Sequence, residues 1–277
     1  MTTQIRLLGI ALLLACLGGC GGTPSVQGNP SGQWVLVWED DFGGTALDGA
    51  RWSVQTGDGC AQNLCGWGNN ELQWYQADNI EVAGGILSLT AREESVAGKA
   101  YTSARILSAE KGDWRYGRFE IRARLPQGQG IWPAVWMLPT DEVYGGWAAS
   151  GEIDIVESLG HQPDLVHGTL HYGGPWPNNT KSGTAFRLPS DTFADDFHTF
   201  VLEWEEDEIR WYVDGVLYQT QTEWHSTAGP YPAPFDQRFH LILNVAVGGT
   251  WPGAPDASTV FPQTLEVDFV RVYRWGS

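Results

Sequence analysis

Apolar and polar residues alternate with a period of two along much of the chain, and Gly or Pro interrupts each stretch after a few residues. Ile86-Leu87-Ser88-Leu89-Thr90, Arg118 to Leu125 and Phe200-Val201-Leu202-Glu203-Trp204 read as strands of this kind. Ile209 to Val213 and Val216-Leu217-Tyr218 flank Asp214-Gly215, a pair suited to a type I′ turn, and so predict a hairpin. No segment sustains a 3.6-residue apolar period. The pattern predicts an all-β chain folded as an antiparallel β-sandwich.

The stretch Ser150-Gly151-Glu152-Ile153-Asp154-Ile155-Val156-Glu157-Ser158 departs from simple alternation. Ile and Val favour a pleated strand, on which Glu152 and Asp154 project one way and Ile153 and Ile155 the other. Strict alternation would then put Val156, not Glu157, on the acidic face. One extra residue at Ile155-Val156, a β-bulge, returns Glu157 to the side of the other two acids, and bulges commonly re-aim a side chain beside an active site.

Three carboxylates on one face repel one another and raise at least one pKa, which is how a site keeps a protonated acid beside an ionised base. Two such groups flanking a sugar linkage suffice for glycoside hydrolysis. The bland reading is the wet face of an amphipathic strand, and a lone Glu-x-Asp pattern fits that reading better.

The surrounding segments change the balance. Gly151-Glu152-Ile153-Asp154-Ile155-Val156-Glu157 resembles the active-site signature of glycoside hydrolase family 16, in the Glu-x-Asp-x-x-Glu form of its laminarinase (endo-β-1,3-glucanase) branch. Gly130 to Pro139, His167 to Tyr172 and Asn244 to Gly253 resemble laminarinase segments in the same order, and the similarity runs from about Trp38 to Tyr273. The resemblance implies a β-jelly roll whose concave sheet forms the substrate cleft. It also implies retaining endo-hydrolysis of internal β-1,3-glucosidic bonds in laminarin-like glucans, with Glu152 as nucleophile, Glu157 as acid/base and Asp154 as the partner between them. A non-catalytic glycan-binding module on the same sandwich is the competing class, and mixed-linkage glucan, agarose or carrageenan are competing polymers.

Sugar rings present apolar C–H faces, so some of the 15 Trp residues are expected to form binding platforms. Trp204 and Trp211 sit on strand positions better explained by packing, whereas Trp132, Trp136 and Trp147 lie in segments that match the family's cleft. The resemblance adds Asn70, Arg105, His171 and Asn244 as substrate-binding residues, with His171 placed near the acid/base. It implies no catalytic cofactor. It does imply a structural calcium on the convex side, held by backbone carbonyls of Asp41 and Gly85 and by the Asp268 side chain. Ser158, Ala104 and the cysteine-bearing loop depart from the family's usual residues.

Composition adds location and partners. Arg6, the apolar run Leu7 to Leu17 and Gly18-Gly19-Cys20 read as an export signal over residues 1–19, and the Leu17 to Cys20 junction resembles a bacterial lipobox. Cys20 would then be acylated, with residues 20–33 as a Gly-, Pro- and Ser-rich tether and residues 34–277 as one catalytic domain. Ordinary secretion is the alternative. The formal charge of −17, one unit more negative without Arg6, argues against nucleic acid and anionic lipid as partners and fits a neutral glucan. A monomer is expected. In an exported chain Cys60 and Cys65 are expected to pair; two free thiols are the alternative.

Overall fold

The structure, a computed structural model, describes residues 32–276. The export signal, Cys20 and most of the tether lie outside the described residues.

The first strands are β1 (Gln33–Asp40), β2 (Ser53–Val54), β3 (Gln73–Tyr75), β4 (Ile80–Ala83), β5 (Ile86–Val96) and β6 (Lys99–Ser103). Next come β7 (Arg105–Leu107), β8 (Asp113–Trp114), β9 (Gly117–Arg124), β10 (Ile131–Pro139), β11 (Glu152–Glu157) and β12 (Leu165–Tyr172). The last are β13 (Thr180–Arg187), β14 (His198–Trp204), β15 (Ile209–Val213), β16 (Val216–Gln221), β17 (Phe239–Val247) and β18 (Gln263–Gly276). Among the described residues only three short 3-10 turns are helical, as the missing 3.6-residue period requires.

Two sheets face each other. One runs β16-β15-β14-β9-β18-β5-β6-β3, with β1 beside β18 and β4 beside β5. The other runs β13-β12-β11-β10-β17-β7-β2, with β8 beside β17. All pairings are antiparallel except β3 with β6. The predicted hairpin is β15–β16, and Asp214 and Gly215 hold φ of 48° and 79° as a type I′ turn needs.

The alternating residues of β9 show why the sandwich forms: Phe119, Ile121 and Ala123 point inward and are fully buried, while Arg118, Glu120 and Arg122 point outward. Phe119, Trp204 and Phe239 meet across the core, and Trp204 and Phe239 pack edge-on with centroids 5.3 Å apart. Burying a side chain of this size contributes on the order of 2 kcal/mol relative to exposure. Strand β17 is buried along its whole length. Its inner face meets the core, and on its other side Gln73 and Tyr75 of β3 bond Val247 and Asn244. Cys60 and Cys65 form a disulfide in the loop that leads into β3.

Candidate active site

The bulge lies where alternation requires it. Against β12, Asp154 pairs with Thr169 and Glu157 with His167, so Ile155 and Val156 together oppose Gly168. Against β10 the register slips between Val135 and Trp136, again skipping Ile155. A bulge leaves ladder groups unpaired. The Asp154 carbonyl instead accepts a hydrogen bond from Trp211 Nε1 at 2.8 Å, donated across the core from β15 in the opposite sheet. Gly168 makes room for that indole, since a Cβ there would stand 2.6 Å from Trp211 Cδ1. Trp211 is therefore a packing residue, as its strand position predicts, and it also supports the bulge.

Each glutamate is held by one indole. Trp147 Nε1 donates to Glu152 Oε2 at 2.7 Å, and Trp132 Nε1 donates to Glu157 Oε1 at 3.0 Å. His171 stands opposite Glu152 in the β11–β12 ladder, with Nε2 3.6 Å from Glu152 Oε1 and 3.4 Å from Asp154 Oδ2. His171 also lowers the Glu157 pKa through its charge, while His167 is the residue opposite Glu157 in the ladder.

All three carboxyls rise to about 8: burial is the main cause for each, and the Asp154 charge adds to it at Glu152 and Glu157. Lys181, paired with His171 across β12–β13, opposes the rise at Asp154 and Glu157. The cluster thus keeps protons at neutral pH. The Trp147 N–H and the His171 charge favour the charged form of Glu152, while Asp154 Oδ2 is buried without any donor. Burial and mutual repulsion give such a cluster the means to hold a protonated acid beside an ionised base, the pair a nucleophile and a proton donor need.

A stability prediction follows from the same shift. A carboxyl whose pKa is higher folded than unfolded binds more protons when folded, so stability falls as pH climbs from the ordinary glutamate value of 4.5 toward about 8. Glu157→Gln should therefore melt higher than the parent at pH 9 and level with it at pH 4. Thermal unfolding at both pH values checks this, and a gain independent of pH would contradict it.

Beside the acids stands a wall from β10, β17 and β7. Trp136 Nε1 donates to Asn244 Oδ1 at 2.7 Å, which places Trp136 in the site and gives buried Asn244 a partner. Arg105, opposite Asn244 in the ladder, is buried between two indoles, its guanidinium carbon 4.5 Å from the Trp67 ring centre and 5.0 Å from that of Trp136. It forms no surface ion pair, and its Nε has no acceptor within the described residues. Asn70 stands at the rim, where its Nδ2 donates to Thr250 Oγ1 at 3.1 Å, next to the exposed Trp251.

Sequence reasoning missed what holds that wall. Asn244 Nδ2 donates to Tyr75 OH at 3.2 Å, and Tyr75 OH donates to Glu71 Oε2 at 3.2 Å. Gln73 Nε2 donates to the same oxygen at 2.7 Å. Burial raises the Glu71 pKa while Gln73 and Arg105 oppose the rise. The signal was the spacing Glu71, Gln73, Tyr75, three polar-tipped residues at intervals of two that run into β3.

The expected calcium ligands share one corner of the larger sheet. β1 and β5 pair the same edge of β18, β5 through Val267 and β1 from Val270 onward, leaving a gap at Asp268 and Phe269. Asp41 follows the end of β1 and Gly85 precedes β5, so both flank this gap. Asp268 is the extra residue of a bulge against β9, and Arg122 takes one of its two carboxylate oxygens at 2.6 Å. An oxygen-only set with one carboxylate oxygen free fits a hard cation.

Paired glutamates at the centre of an aromatic-lined sheet face define a glycoside hydrolase of the β-sandwich class. The glycosyl hydrolases family 16 model matches residues 68–270. The chain is 44% identical over 282 residues to a beta-glucanase of Rhodothermus marinus, covering 96% of this chain and 94% of that protein. It is 46% identical over 257 residues to glucan endo-1,3-beta-glucosidase A1 of Niallia circulans, covering 86% of this chain and 38% of that longer protein. The catalytic domain of an endo-1,3-beta-glucanase (laminarinase) from Thermotoga petrophila superposes with a TM-score of 0.81 at 42% identity, over 89% of this chain and 100% of that one. The chain belongs to glycosyl hydrolases family 16, and its fold is that family's jelly roll.

Proposed function

We propose that the protein is a retaining endo-β-1,3-glucanase acting on laminarin-like glucans by double displacement. The observation that carries this reading is the bulged strand, which sets Glu152 and Glu157 on one face and gives each an indole N–H. Glu157 donates its proton to the glycosidic oxygen while the Glu152 carboxylate attacks the anomeric carbon, so the C–O bond breaks as a glycosyl ester forms. Glu157, now ionised, takes a proton from water, and the resulting nucleophile releases the sugar with retained configuration. Asp154, buried between the two, holds proton positions and modulates the nucleophile. Trp136, Asn244 and Arg105 offer a ring face and hydrogen-bond donors to the sugar. A non-catalytic binding module has no need of two carboxyls pushed to about 8.

Reducing-end release from laminarin, mixed-linkage glucan and agarose tests the substrate. Laminarin is expected to be cut fastest, into oligosaccharides of mixed length. Agarose cut as fast as laminarin would overturn the specificity while leaving the family untouched.

Two further features belong to the same reading. Cys20 carries lipid and anchors a monomeric enzyme at the cell envelope, supported by Leu17-Gly18-Gly19-Cys20 and the tether behind it. An unmodified N-terminus in mass spectrometry of the native protein would remove the anchor. Calcium in the gap flanked by Asp41, Gly85 and Asp268 would hold the ends of β1 and β5 together, supported by the free Asp268 oxygen. A melting temperature unmoved by chelator would remove the metal.

A further inference from the structure

Glu152, Asp154 and His171 are spaced as metal ligands are. His171 Nε2 lies 3.4 Å from Asp154 Oδ2 and 3.6 Å from Glu152 Oε1, too far for hydrogen bonds. One ligand atom from each of the three residues lies within 4.8 Å of the others. Ligand bonds of about 2.0–2.1 Å at a tetrahedral angle separate neighbouring donor atoms by about 3.4 Å. A cation between these atoms would meet all three with small side-chain movements.

Two independent features point to a ligand there. Asp154 is only 2% exposed, yet its Oδ2, the atom facing His171, has no hydrogen-bond donor. A buried carboxylate oxygen ordinarily has one, since an unpaired polar group is costly in the interior. The second feature is the support around Glu152. Trp147 occupies Oε2 and leaves Oε1 toward His171, in the way that hydrogen bonds to a ligating carboxylate's other oxygen orient metal ligands.

We propose that Glu152, Asp154 and His171 form a binding site for a zinc-class divalent cation, which blocks hydrolysis reversibly by occupying the nucleophile. One imidazole nitrogen and two carboxylate oxygens suit Zn²⁺ or Cu²⁺. Calcium, with its six to eight oxygen ligands, is excluded by the nitrogen and by the small number of donors. The fourth position opens to the cleft, so water completes the coordination and a sugar competes with the ion. This site is distinct from the calcium position at the β1–β5 gap, and it stands whatever glucan the enzyme cuts.

The test uses the untagged, full-length chain stripped with chelator. Added Zn²⁺ is expected to raise the melting temperature and inhibit competitively, with turnover at low substrate falling about tenfold at ten times the dissociation constant. Cu²⁺ in its place should give an electron paramagnetic resonance spectrum with coupling to one nitrogen. Asp154→Asn and His171→Leu should each weaken Zn²⁺ binding, read from the melting shift, at least about tenfold, and His171→Leu should abolish the nitrogen coupling. An unchanged melting temperature at millimolar Zn²⁺, or a full zinc shift retained by both variants, would overturn the proposal.

Discussion

Glu152→Ala is expected to lose activity on laminarin almost completely, and added azide to restore turnover with an α-glycosyl azide as product. The small anion fills the space left by the carboxylate and attacks the anomeric carbon once, which inverts it. Glu157→Ala should behave differently. Loss of the proton donor costs about 10²–10⁴-fold on a natural linkage, but a substrate with an activated leaving group still forms the glycosyl enzyme. Azide then attacks that intermediate, and the second inversion yields the β-product. Gas or liquid chromatography with NMR of the azide adducts distinguishes the two, and a β-azide from the Glu152 variant would reverse the roles. The environments of the glutamates differ in their hydrogen bonds: Glu152 has the Trp147 N–H at 2.7 Å with His171 Nε2 at 3.6 Å, and Glu157 has the Trp132 N–H at 3.0 Å.

Gly168→Val is expected to damage the enzyme more than any other single change outside the acids and their partners. Gly168 opposes the two bulge residues, and its Cβ would stand 2.6 Å from Trp211 Cδ1 and 2.7 Å from Tyr218 OH. Trp211 must move, and its hydrogen bond to the Asp154 carbonyl breaks. Overpacking costs about 1–3 kcal/mol, and a buried carbonyl left unpaired costs a similar amount. Misplacing Glu157 by about 1 Å costs about 10²-fold in rate. Urea unfolding and kcat/KM measure the two effects. Adding Trp211→Leu should recover part of the stability and none of the activity, because the indole N–H is what the bulge needs. Wild-type values for Gly168→Val would contradict this account of the bulge.

How much of this was legible beforehand depended on range along the chain. The period of two revealed β9, β14 and the β15–β16 hairpin, because alternation is a local property of a half-buried strand. The misplaced parity of Glu157 revealed the bulge for the same reason. Long-range packing left no comparable trace. Nothing in Trp211 announces that it caps a carbonyl 57 residues away in the other sheet. The neighbour of each glutamate also depended on register: a two-sided ladder pairs His171 with Glu152 and His167 with Glu157, and sequence proximity cannot choose between them. Arg105 showed its residue type and position but not the two indoles that enclose it.

The stereochemistry of the first cleavage tests the double displacement directly. Proton NMR of wild-type enzyme acting on laminarin resolves the new reducing ends before mutarotation mixes the anomers. If Glu152 attacks the anomeric carbon and Glu157 serves as acid and then base, the β-anomer signal appears first and the α-anomer grows in later. An α-anomer formed first would mean that water attacks directly, and the roles assigned to both glutamates would be wrong.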